Sequence, residues 1–325
     1  MSKSAATLDG ALAPHERLIG LAGQVKTSPL LRLEHAAIRV GDLSEGVDWY
    51  TKIVQLGEVG RERDRVYLSC GGEAGFDIAL VEGGTGLERL AYSVNDVETL
   101  DRIKGRLTAE GIAVTSASSP APGIATSIRF HFAEAGTDFE LVVREQRAPY
   151  QVCTEWTDIG VNAPNDLNHV TFGGGNVARF AEMLMTIFDF RLSDIWVPRS
   201  TGQLRFAFLR VGESHHDIAM LEGAKLGLHH VAFLMRDVGA LVAAADRTSR
   251  FGVVGETGIV RHPPGNNMTF YVRDPWLNRV EFAADIALVT DRMAGVQCWD
   301  KDEPVELYNL WAPTVPPDSW INEVS

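Results

Sequence analysis

The sequence predicts an α+β fold in which one unit, a strand followed by a helix and then several strands, occurs four times. The first observation is an internal repeat: residues 76–83 read FDIALVEG, and residues 216–223, 140 positions further on, read HDIAMLEG. The second is a shorter recurrence within each half, because similar strand-like segments begin at residues 33, 87, 167 and 228. Self-similarity of this kind indicates an array of small supersecondary units. We therefore expect two halves of two units each.

A helix start follows each of the four opening strands. The residues at these starts belong to types that cap helices, and they are Asp42, Asn95, Asn176 and Asp237. The apolar periodicity after them predicts helices over 43–56, 97–108, 177–188 and 238–246. Alternating or β-branched runs come next, among them 205–211, 216–221 and 268–273. The order of strand, helix and strands is thus repeated along the chain.

The repeat also defines the predicted domains. We expect an N-terminal domain over residues 32–147 and a C-terminal domain over 148–285, joined by the polar, unpatterned stretch 146–165. Residues 1–31 form an N-terminal extension. Residues 286–325 form a tail with three tryptophans and four prolines, which is too apolar to lie free in water. We expect this tail to pack on its own or a neighbouring subunit, in preference to acting as an active-site lid.

Charge and composition exclude several classes of function. Thirty Lys and Arg against 43 Asp and Glu give a net charge of −13, which repels nucleic acid and anionic membranes. The chain contains no stretch of the roughly 20 apolar residues that span a bilayer, and its start does not read as a signal peptide. Its three cysteines are far apart and form no CxxC pair, which excludes a disulfide framework or a zinc ribbon. We expect a soluble cytoplasmic protein whose ligands are small molecules or other proteins.

Histidines are concentrated in the second half, which holds six of the nine. Alternation along the opening strands places His169 and His230 on one face, while branched and aromatic neighbours take the other. Glu281 lies between Val280 and Phe282 in a third strand, and a buried carboxylate is costly unless it is paired or binds a metal. Two imidazoles and a carboxylate from separate strands form the facial triad of non-haem Fe(II) enzymes that activate dioxygen. Mn(II) also fits these ligands.

Each residue of this triad, taken singly, also has a structural explanation, because a strand His or Glu is more often hydrogen-bonded than metal-bound. The first half supplies an internal control. His35 and Glu140 match the first imidazole and the carboxylate, but Arg89 stands where His230 would be. Arginine stays protonated and cannot ligate a cation. We therefore expect a metal in the second half only.

The segment at 261–281, RHPPGNNMTFYVRDPWLNRVE, resembles the signature of the type I extradiol ring-cleaving dioxygenases of the vicinal oxygen chelate superfamily. The intervals of 61 residues from His169 to His230 and of 51 from there to Glu281 are similar to those of catechol 2,3-dioxygenases. The resemblance extends from about residue 32 to residue 285. It implies the vicinal oxygen chelate (glyoxalase/bleomycin-resistance/dioxygenase) fold, with two βαβββ modules per domain. It also implies that these three residues hold the metal.

The same resemblance assigns roles to four further residues. It implies that His216 is the acid–base residue beside the metal, and that Tyr271 and His262 hydrogen-bond the bound catecholate. Phe208 is similar to the aromatic residue that lines the ring pocket, although a plain core phenylalanine is an alternative. Tyr271 has packing within the strand as its alternative role.

Three residues depart from the pattern or stand outside it. His215 and His229 have the opposite strand parity to their neighbours, and we interpret both as structural or surface residues. Leu277 occupies a turn where the family usually has glycine. A branched residue is costly at positive φ, which leaves a different local backbone as an alternative there.

The function implied by the resemblance is extradiol (meta) cleavage of a catechol by O2, giving a hydroxymuconic semialdehyde-type product in aromatic hydrocarbon catabolism. Family members are usually homo-oligomers, and a tetramer is favoured. One alternative is another metal-dependent member of the superfamily, glyoxalase-like or epimerase-like, although these commonly use four protein ligands. A second is a ligand-sequestering protein without catalysis, which would not need the proton-transfer groups named above. The substituent on the catechol is left open.

Overall fold

The two halves of the chain form two mixed β-sheets with helices packed against them. The computed structural model describes residues 12–24, 27–71, 75–117, 121–145, 162–291 and 294–325. Within these ranges, the helices are all too short or too polar to cross a membrane.

The first half is preceded by helix α1 and contains eight strands and two helices. The helices are α1 (Pro14–Ala22), α2 (Leu43–Trp49) and α3 (Val97–Ala109). The strands are β1 (Leu30–Val40), β2 (Gly57–Arg61), β3 (Arg65–Ser69), β4 (Ile78–Glu82), β5 (Leu87–Val94), β6 (Val114–Ser116), β7 (Ile124–Phe132) and β8 (Thr137–Arg144). They form one sheet in the order β2-β3-β4-β1-β5-β8-β7-β6.

The second half and the tail contain nine strands and four helices. The helices are α4 (Val177–Ile187), α5 (Val238–Arg250), α6 (Val305–Tyr308) and α7 (Asp318–Asn322). The strands are β9 (Pro164–Gly173), β10 (Arg191–Trp196), β11 (Phe206–Arg210), β12 (Ile218–Leu221), β13 (Gly227–Met235), β14 (Val260–Arg261), β15 (Met268–Arg273), β16 (Arg279–Ala284) and β17 (Gln297–Trp299). Their order is β14-β15-β16-β13-β9-β12-β11-β10-β17.

Each half consists of two strand, helix and three-strand modules, which confirms the predicted fold. The opening strand of every module pairs in parallel with the last strand of the same module, as β9 does with β12 and β13 with β16. The two opening strands of a half pair with each other in antiparallel fashion. Each sheet is therefore built from two equivalent modules that meet at their opening strands, and β17 of the tail extends the second sheet.

Three of the four predicted helix caps are confirmed. The side chains of Asp42, Asn176 and Asp237 each accept a hydrogen bond from the backbone N–H three residues further on. The prediction that Asn95 caps the second predicted helix was wrong, because Asp96 has the extended backbone of the cap residue and its side chain accepts a hydrogen bond from the N–H of Thr99. The first predicted helix, 43–56, is α2 followed by a π-helical turn that ends at Val54.

The apolar faces of the opening strands lie in the core, as their alternation predicts. Val170, Phe172, Val231 and Phe233 are each at most 1% exposed and belong to a hydrophobic cluster that includes residues of both halves. Burial of side chains of this size stabilises each strand by roughly 1.5–3 kcal/mol per residue. The opposite face of the same strands is therefore left for polar groups.

The segments outside the repeat pack on the second half. Helix α1 lies in the predicted N-terminal extension and buries Leu18 near α4 and β10. Strand β9 begins at Pro164, so the last residues of the predicted linker belong to the second sheet, while 146–161 lie outside the described residues. In the tail, β17 pairs in parallel with β10, and Ser325 exchanges backbone hydrogen bonds with Leu228.

Candidate metal centre

Three neighbouring strands bring the two predicted histidine ligands and the carboxylate together. Strand β13 pairs with β9 on one side and with β16 on the other, and Ala232 of β13 lies opposite both His169 and Glu281. The methyl group of Ala232 leaves room between them, and His230 reaches the same space from two residues earlier on β13. The sheet register thus places all three side chains on one face.

The distances among the three ligand atoms fit a single metal ion. Nε2 of His169 lies 3.2 Å from Nε2 of His230 and 3.1 Å from Oε2 of Glu281. The third edge, from Nε2 of His230 to Oε2 of Glu281, is 3.0 Å. Two ligand atoms that are each about 2.1 Å from a metal and at right angles are about 3.0 Å apart. These atoms therefore match one face of an octahedron.

Burial and charge favour the protonation states that metal ligands need. All three side chains are buried, with residue exposures of 1% for His169, 4% for His230 and 1% for Glu281. Burial lowers the pKa of His230 to about 4. Burial also tends to raise the pKa of Glu281, but the two imidazoles hold it well below its usual range. The cluster thus offers a neutral imidazole and a carboxylate at neutral pH.

Each ligand is held from its far side by a hydrogen bond. Nδ1 of His169 lies 2.8 Å from Oδ1 of Asn168, and Asn267 donates its amide N–H to Oε1 of Glu281 over 3.1 Å. Such outer contacts fix the orientation of a ligand and its tautomer. The atoms Nε2 of His169 and Oε2 of Glu281 are thereby turned toward the centre.

His229 orients His230 through the tail. Its Nε2 lies 2.6 Å from the carbonyl oxygen of Trp320 in α7, and its Nδ1 lies 2.7 Å from Nδ1 of His230. A carbonyl only accepts, so Nε2 of His229 carries the proton and Nδ1 accepts from His230. The lone pair of His230 Nε2 is then free for a metal. His229 is 2% exposed, so a surface position is excluded and a structural one is found.

His216 lies beside the ligand cluster, just before β12. The centroid of its ring is 4.1 Å from that of His169, and Phe208 packs edge-on against it at 5.1 Å. Burial, followed by the neighbouring charges of His169 and His215, holds the pKa of His216 well below its usual range. His215 is also buried, and its Nδ1 lies 2.9 Å from Nδ1 of His216. The imidazole of His216 is therefore a neutral group at the edge of the candidate metal centre.

Tyr271 and His262 form a hydrogen-bonded pair on another side of the centre. Nδ1 of His262 lies 2.6 Å from the carbonyl oxygen of Tyr308, and its Nε2 lies 2.9 Å from the hydroxyl of Tyr271. By the same reasoning, Nδ1 of His262 carries the proton and Nε2 accepts from the tyrosine hydroxyl. Burial lowers the pKa of His262 and raises that of Tyr271, so both are neutral at neutral pH.

A cavity of about 340 Å³ opens from the cluster, and every residue to which the sequence assigned a site role lines it. The C-terminal tail forms part of its wall through Leu307, Tyr308, Trp320 and Ile321. Arg279, which is fully buried, holds α7 in place by donating to the carbonyl oxygens of Ser319 and Glu323. The tail is thus an arm on its own subunit, as expected, and it also encloses the candidate site.

The equivalent position in the first half is filled by a protein cation. Nε of Arg89 lies 2.7 Å from Oε2 of Glu140, and Nε2 of His35 lies 3.6 Å from the same atom. Burial tends to raise the pKa of Glu140, but His35 and Arg89 hold it well below its usual range. Phe76 packs against His35 at 4.5 Å, where the second half has His216 against His169. The guanidinium supplies the positive charge that a metal ion would supply in the second half.

Leu277 adopts the strained backbone that its side chain disfavours. Its φ is +72°, so the turn before β16 keeps the left-handed conformation and does not rearrange. The side chain is 63% exposed, and the backbone N–H donates to the carbonyl of Asp274. Glu281, the candidate ligand four residues on, is therefore positioned despite the leucine at this turn.

Sequence reasoning missed several residues that support the site. Asn267 orients Glu281, His229 orients His230, and Asp194 lies 3.1 Å from Nε2 of His215. Asn267 lies inside the segment 261–281 that resembles the dioxygenase signature. His215 and His229 each belong to a His-His dipeptide, and the occurrence of two such dipeptides was a signal in the sequence. Tyr308 and Trp320 of the tail gave no signal except their aromatic character.

Comparisons with known proteins agree with this geometry. Residues 166–282 match the family described as Glyoxalase/Bleomycin resistance protein/Dioxygenase superfamily. Metapyrocatechase 2 of Cupriavidus necator is 32% identical over 156 residues, which are 47% of this chain and 46% of that protein. The chain therefore aligns with less than half of the length of this relative. The manganese-dependent 2,3-dihydroxybiphenyl 1,2-dioxygenase of Geobacillus genomosp. 3 is 24% identical over 264 residues, covering 77% of this chain and 83% of that protein.

A solved structure extends the likeness to the whole fold. Homoprotocatechuate 2,3-dioxygenase of Arthrobacter globiformis superposes with a TM-score of 0.83 at 20% sequence identity, over 94% of both chains. At this identity the superposition shows a shared architecture. The comparisons thus agree with the resemblance noted in the sequence: residues 166–282 match the Glyoxalase/Bleomycin resistance protein/Dioxygenase superfamily, and the chain shares the vicinal oxygen chelate fold of the solved dioxygenase.

Proposed function

We propose that the chain is an extradiol dioxygenase that cleaves the ring of a catechol-type diol beside its two hydroxyl groups. The product would be a ring-opened hydroxymuconic semialdehyde that contains both atoms of O2. One observation carries this proposal: the ligand atoms of His169, His230 and Glu281 are mutually 3.0–3.2 Å apart and border a cavity. Three protein ligands would leave further coordination positions of a bound ion open to two diol oxygens and O2. The names of two relatives, a metapyrocatechase and a 2,3-dihydroxybiphenyl 1,2-dioxygenase, support the proposal.

The donor set suits Fe(II), and we propose Fe(II) with Mn(II) as the alternative. Imidazole and carboxylate ligands accommodate both ions, and one relative is named as manganese-dependent. When bound, such an ion supplies Lewis acidity that favours the ionised diol, together with redox chemistry toward O2. His169, His230 and Glu281 would hold it.

His216 is the proposed acid–base residue. Its Nδ1 is engaged by His215, which leaves Nε2 as the nitrogen available to the cavity. Because burial keeps this ring neutral, it can accept a proton from the diol and return it later in the reaction. Proton transfer by a positioned side chain contributes roughly 10²–10⁴ to a rate.

Tyr271 and His262 are proposed to position the diol, and Phe208 to pack against its ring. The hydroxyl of Tyr271 can turn from His262 toward a diol oxygen, because His262 would then only lose one accepted hydrogen bond. The ring of Phe208 packs edge-on against that of His216 and lines the cavity. These contacts would hold the ring in one orientation.

Two other functions are disfavoured by the site. A glyoxalase-like or epimerase-like enzyme commonly needs a fourth protein ligand, and the ligand cluster found among the described residues has three members. A sequestering protein has no need for the neutral pair Tyr271 and His262 or for His216 beside the ligands. Both alternatives predict that O2 is not consumed.

Aerobic turnover of catechol tests the proposal. The protein is loaded with Fe(II), or separately with Mn(II), and mixed with catechol under ¹⁸O₂. We expect a yellow product whose mass contains two labelled oxygen atoms. The variant Glu281→Gln serves as the control and should form none. Oxygen consumption without label in an opened ring, or no consumption with either metal, would contradict the proposed activity.

We further propose that the chain forms a homo-oligomer, with a tetramer favoured. The tail exposes Leu310, Trp311 and Val315, which are 59%, 55% and 76% exposed in the single chain, and exposed large apolar side chains within one short segment support an interface. Sedimentation of the intact protein measures the mass directly. A monomer at micromolar concentration would contradict this part of the proposal.

A further inference from the structure

We propose that the preferred substrate carries an uncharged, apolar alkyl or aryl substituent on its diol ring, and that the ion pair of Arg205 and Glu222 disfavours carboxylated catechols. This inference rests on the proposed function and deepens it by naming the class of substrate. It depends on the shape and charge of the cavity outside the ligand cluster.

The cavity is larger than the bare diol ring requires. Its volume of about 340 Å³ falls in the range of roughly 300–1,000 Å³ found for pockets that hold drug-sized ligands. The diol oxygens must lie at the three ligands, so the additional space lies away from them. A substituent on the ring would occupy it.

One wall of this space is an aromatic strip along β11. Phe208 lies beside His216, and Phe206 stacks on Phe208 with ring centroids 4.1 Å apart and an interplanar angle of 24°. Alternate residues of a strand are about 6.6 Å apart, so the two rings extend the wall outward from the centre. Trp196 of β10 is the register partner of Phe206 and widens the strip. A planar or extended apolar group would find continuous contact here.

The tail supplies the facing wall, and it is also apolar. Leu307, Tyr308, Trp320 and Ile321 line the cavity, with the rings of Tyr308 and Trp320 5.1 Å apart. The polar side-chain groups among these four residues are the hydroxyl of Tyr308 and the indole N–H of Trp320, both uncharged, so these residues offer a carboxylate no cation. Burial of an apolar group between these walls is favourable by about 25 cal/mol per Å².

The charged groups of the cavity are unsuited to a carboxylate. Outside the ligand cluster and the histidines, the charged residues of the lining are Arg205, Glu222 and Asp302. Arg205 forms an ion pair with Glu222, and the two residues are also joined by a backbone hydrogen bond from the N–H of Glu222 to the carbonyl of Arg205. Asp302 accepts from the N–H of Ser200. The single cation of the lining is thus neutralised, and one acid remains.

The ion pair of Arg205 and Glu222 lies at the outer end of the aromatic strip. Arg205 directly precedes Phe206, and Glu222 directly follows Leu221, the register partner of Phe206. A carboxylate at the end of a substituent would meet Glu222 there, and it would have to break the pair to reach Arg205. Recognition of a carboxylate normally uses an unpaired Arg or Lys, because a charge buried without a partner is costly.

Kinetics on matched substrates test the inference. kcat/KM is measured for catechols that carry propyl, acetamide or acetate groups at the same ring carbon, in both the 3- and the 4-substituted series. We expect propyl to exceed acetate by tenfold or more, with the neutral acetamide between them, as is typical when a site leaves a polar group unpaired. An acetate substrate that equals or exceeds propyl in both series would overturn the inference.

The variant Glu222→Gln isolates the role of the ion pair. It frees Arg205, and we expect the ratio of kcat/KM for the acetate substrate to that for propyl to rise about tenfold. The matched control Glu82→Gln removes the same charge from an exposed position of the first half and should leave both values unchanged. An unchanged ratio of acetate to propyl in Glu222→Gln would show that the pair does not control selection.

A second variant tests the aromatic strip independently. Phe206→Ala should lower kcat/KM for propylcatechol by roughly tenfold relative to unsubstituted catechol, because it removes the contact of the substituent and not that of the ring. Equal losses for both substrates would contradict the proposed path. If the proposed function itself were wrong, the outcome would be different, because the wild-type protein would cleave none of these catechols.

Discussion

The Nδ1 atoms of His215 and His216 lie 2.9 Å apart, and the other ring nitrogen of His215 lies 3.1 Å from Oδ1 of Asp194. A carboxylate oxygen at that distance favours a proton on Nε2 of His215. The Nδ1 atom of His215 is then an acceptor, so His216 donates from its own Nδ1. The lone pair of His216 Nε2 is left for the cavity, which is the tautomer that a proton acceptor needs. Asp194 therefore acts as a positioning residue for His216.

Asp194→Asn tests this arrangement. Trp299 donates its indole N–H to Oδ2 of Asp194, so an asparagine would keep its oxygen toward Trp299 and turn its amide N–H toward His215. That reverses both tautomers, and we expect kcat to fall roughly 10–100-fold with KM for catechol nearly unchanged. Steady-state kinetics measure both values.

A double variant provides the control for this prediction. Removing the indole donor with Trp299→Phe lets the asparagine amide rotate, so kcat of Asp194→Asn should partly recover in the Trp299→Phe background. Trp299→Phe alone should change kcat little. Wild-type kcat in Asp194→Asn, or no recovery in the double variant, would contradict the positioning role.

His216→Phe copies the first half, where Phe76 occupies the matching position against His35. The fold already accommodates a phenyl ring in this setting, so we expect stability and metal content to stay near wild type. Loss of the proton-transfer group should lower kcat by roughly 10²–10³-fold. Single-turnover measurements with catechol and O2 give the rate of the chemical step. Turnover at the wild-type rate would show that His216 is not the acid–base residue.

Metal content should distinguish the two halves of the chain. His169→Gln should abolish tight binding of Fe(II) or Mn(II), whereas the repeat-equivalent variant His35→Gln should leave one ion per chain, because Arg89 already neutralises Glu140. Elemental analysis after dialysis measures the stoichiometry. Chelation should also lower the melting temperature of the wild type, since a ligand that binds the folded state stabilises it. Two ions per wild-type chain would contradict the assignment of the first half.

The pKa of Glu256 predicts a pH-dependent contribution to stability. Burial tends to raise this pKa, but ion pairs with Arg279 and Arg273 lower it to about 2. Because the folded-state pKa is lowered, the contribution is fully present above the pKa of a free glutamate and is lost as the pH falls toward 2. We expect Glu256→Gln to cost roughly 3 kcal/mol at pH 7 and about 2 kcal/mol at pH 3.5.

Urea unfolding of both proteins at the two pH values measures this difference. Glu58→Gln is the control, because Glu58 pairs with Arg61 on the surface and such pairs contribute about 0–1 kcal/mol. Ser319 of the tail donates to Glu256, so the same variant should loosen α7 and speed cleavage of the C-terminus by carboxypeptidase. A cost that does not change between the two pH values would contradict the pKa assignment.

The sequence predicted the parts of the structure that depend on periodicity. Alternation placed Val170 and Phe172 in the core and His169 on the opposite face, and the repeat located the candidate ligands of the second half. It predicted a structural or surface position for His229, and the residue is buried, but its contact with His230 follows from a shift in the pairing of β13 with β9 between Leu228 and His230. At such an irregularity a residue leaves the two-residue period, so His229 can contact His230 on the same side.

The packing of the tail could not be predicted from the sequence, and the physical reason is a different one. Its path depends on contacts between residues that are far apart in sequence, such as those of Arg279 with Ser319 and Glu323. Nothing local in residues 286–325 fixes where they pack, although their apolar character showed that they must be covered. Nor did the sequence disclose the pairing of Arg205 with Glu222, which only the register of β11 and β12 brings about.

Leu277→Gly should stabilise the protein, because the φ of +72° at this position is strained for any residue with a branched side chain and free for glycine. The left-handed conformation costs an L-residue roughly 1–2 kcal/mol, and glycine returns part of this through its greater freedom in the unfolded chain. The side chain of Leu277 is 63% exposed, so little packing is lost, and we expect a net gain of about 0.5–1 kcal/mol. Leu288→Gly is the matched control: that leucine is 65% exposed and is absent from the residues with positive φ, so its replacement should destabilise. Chemical denaturation with both variants decides the matter, and equal losses at the two positions would contradict the strained geometry of the turn that leads into Glu281.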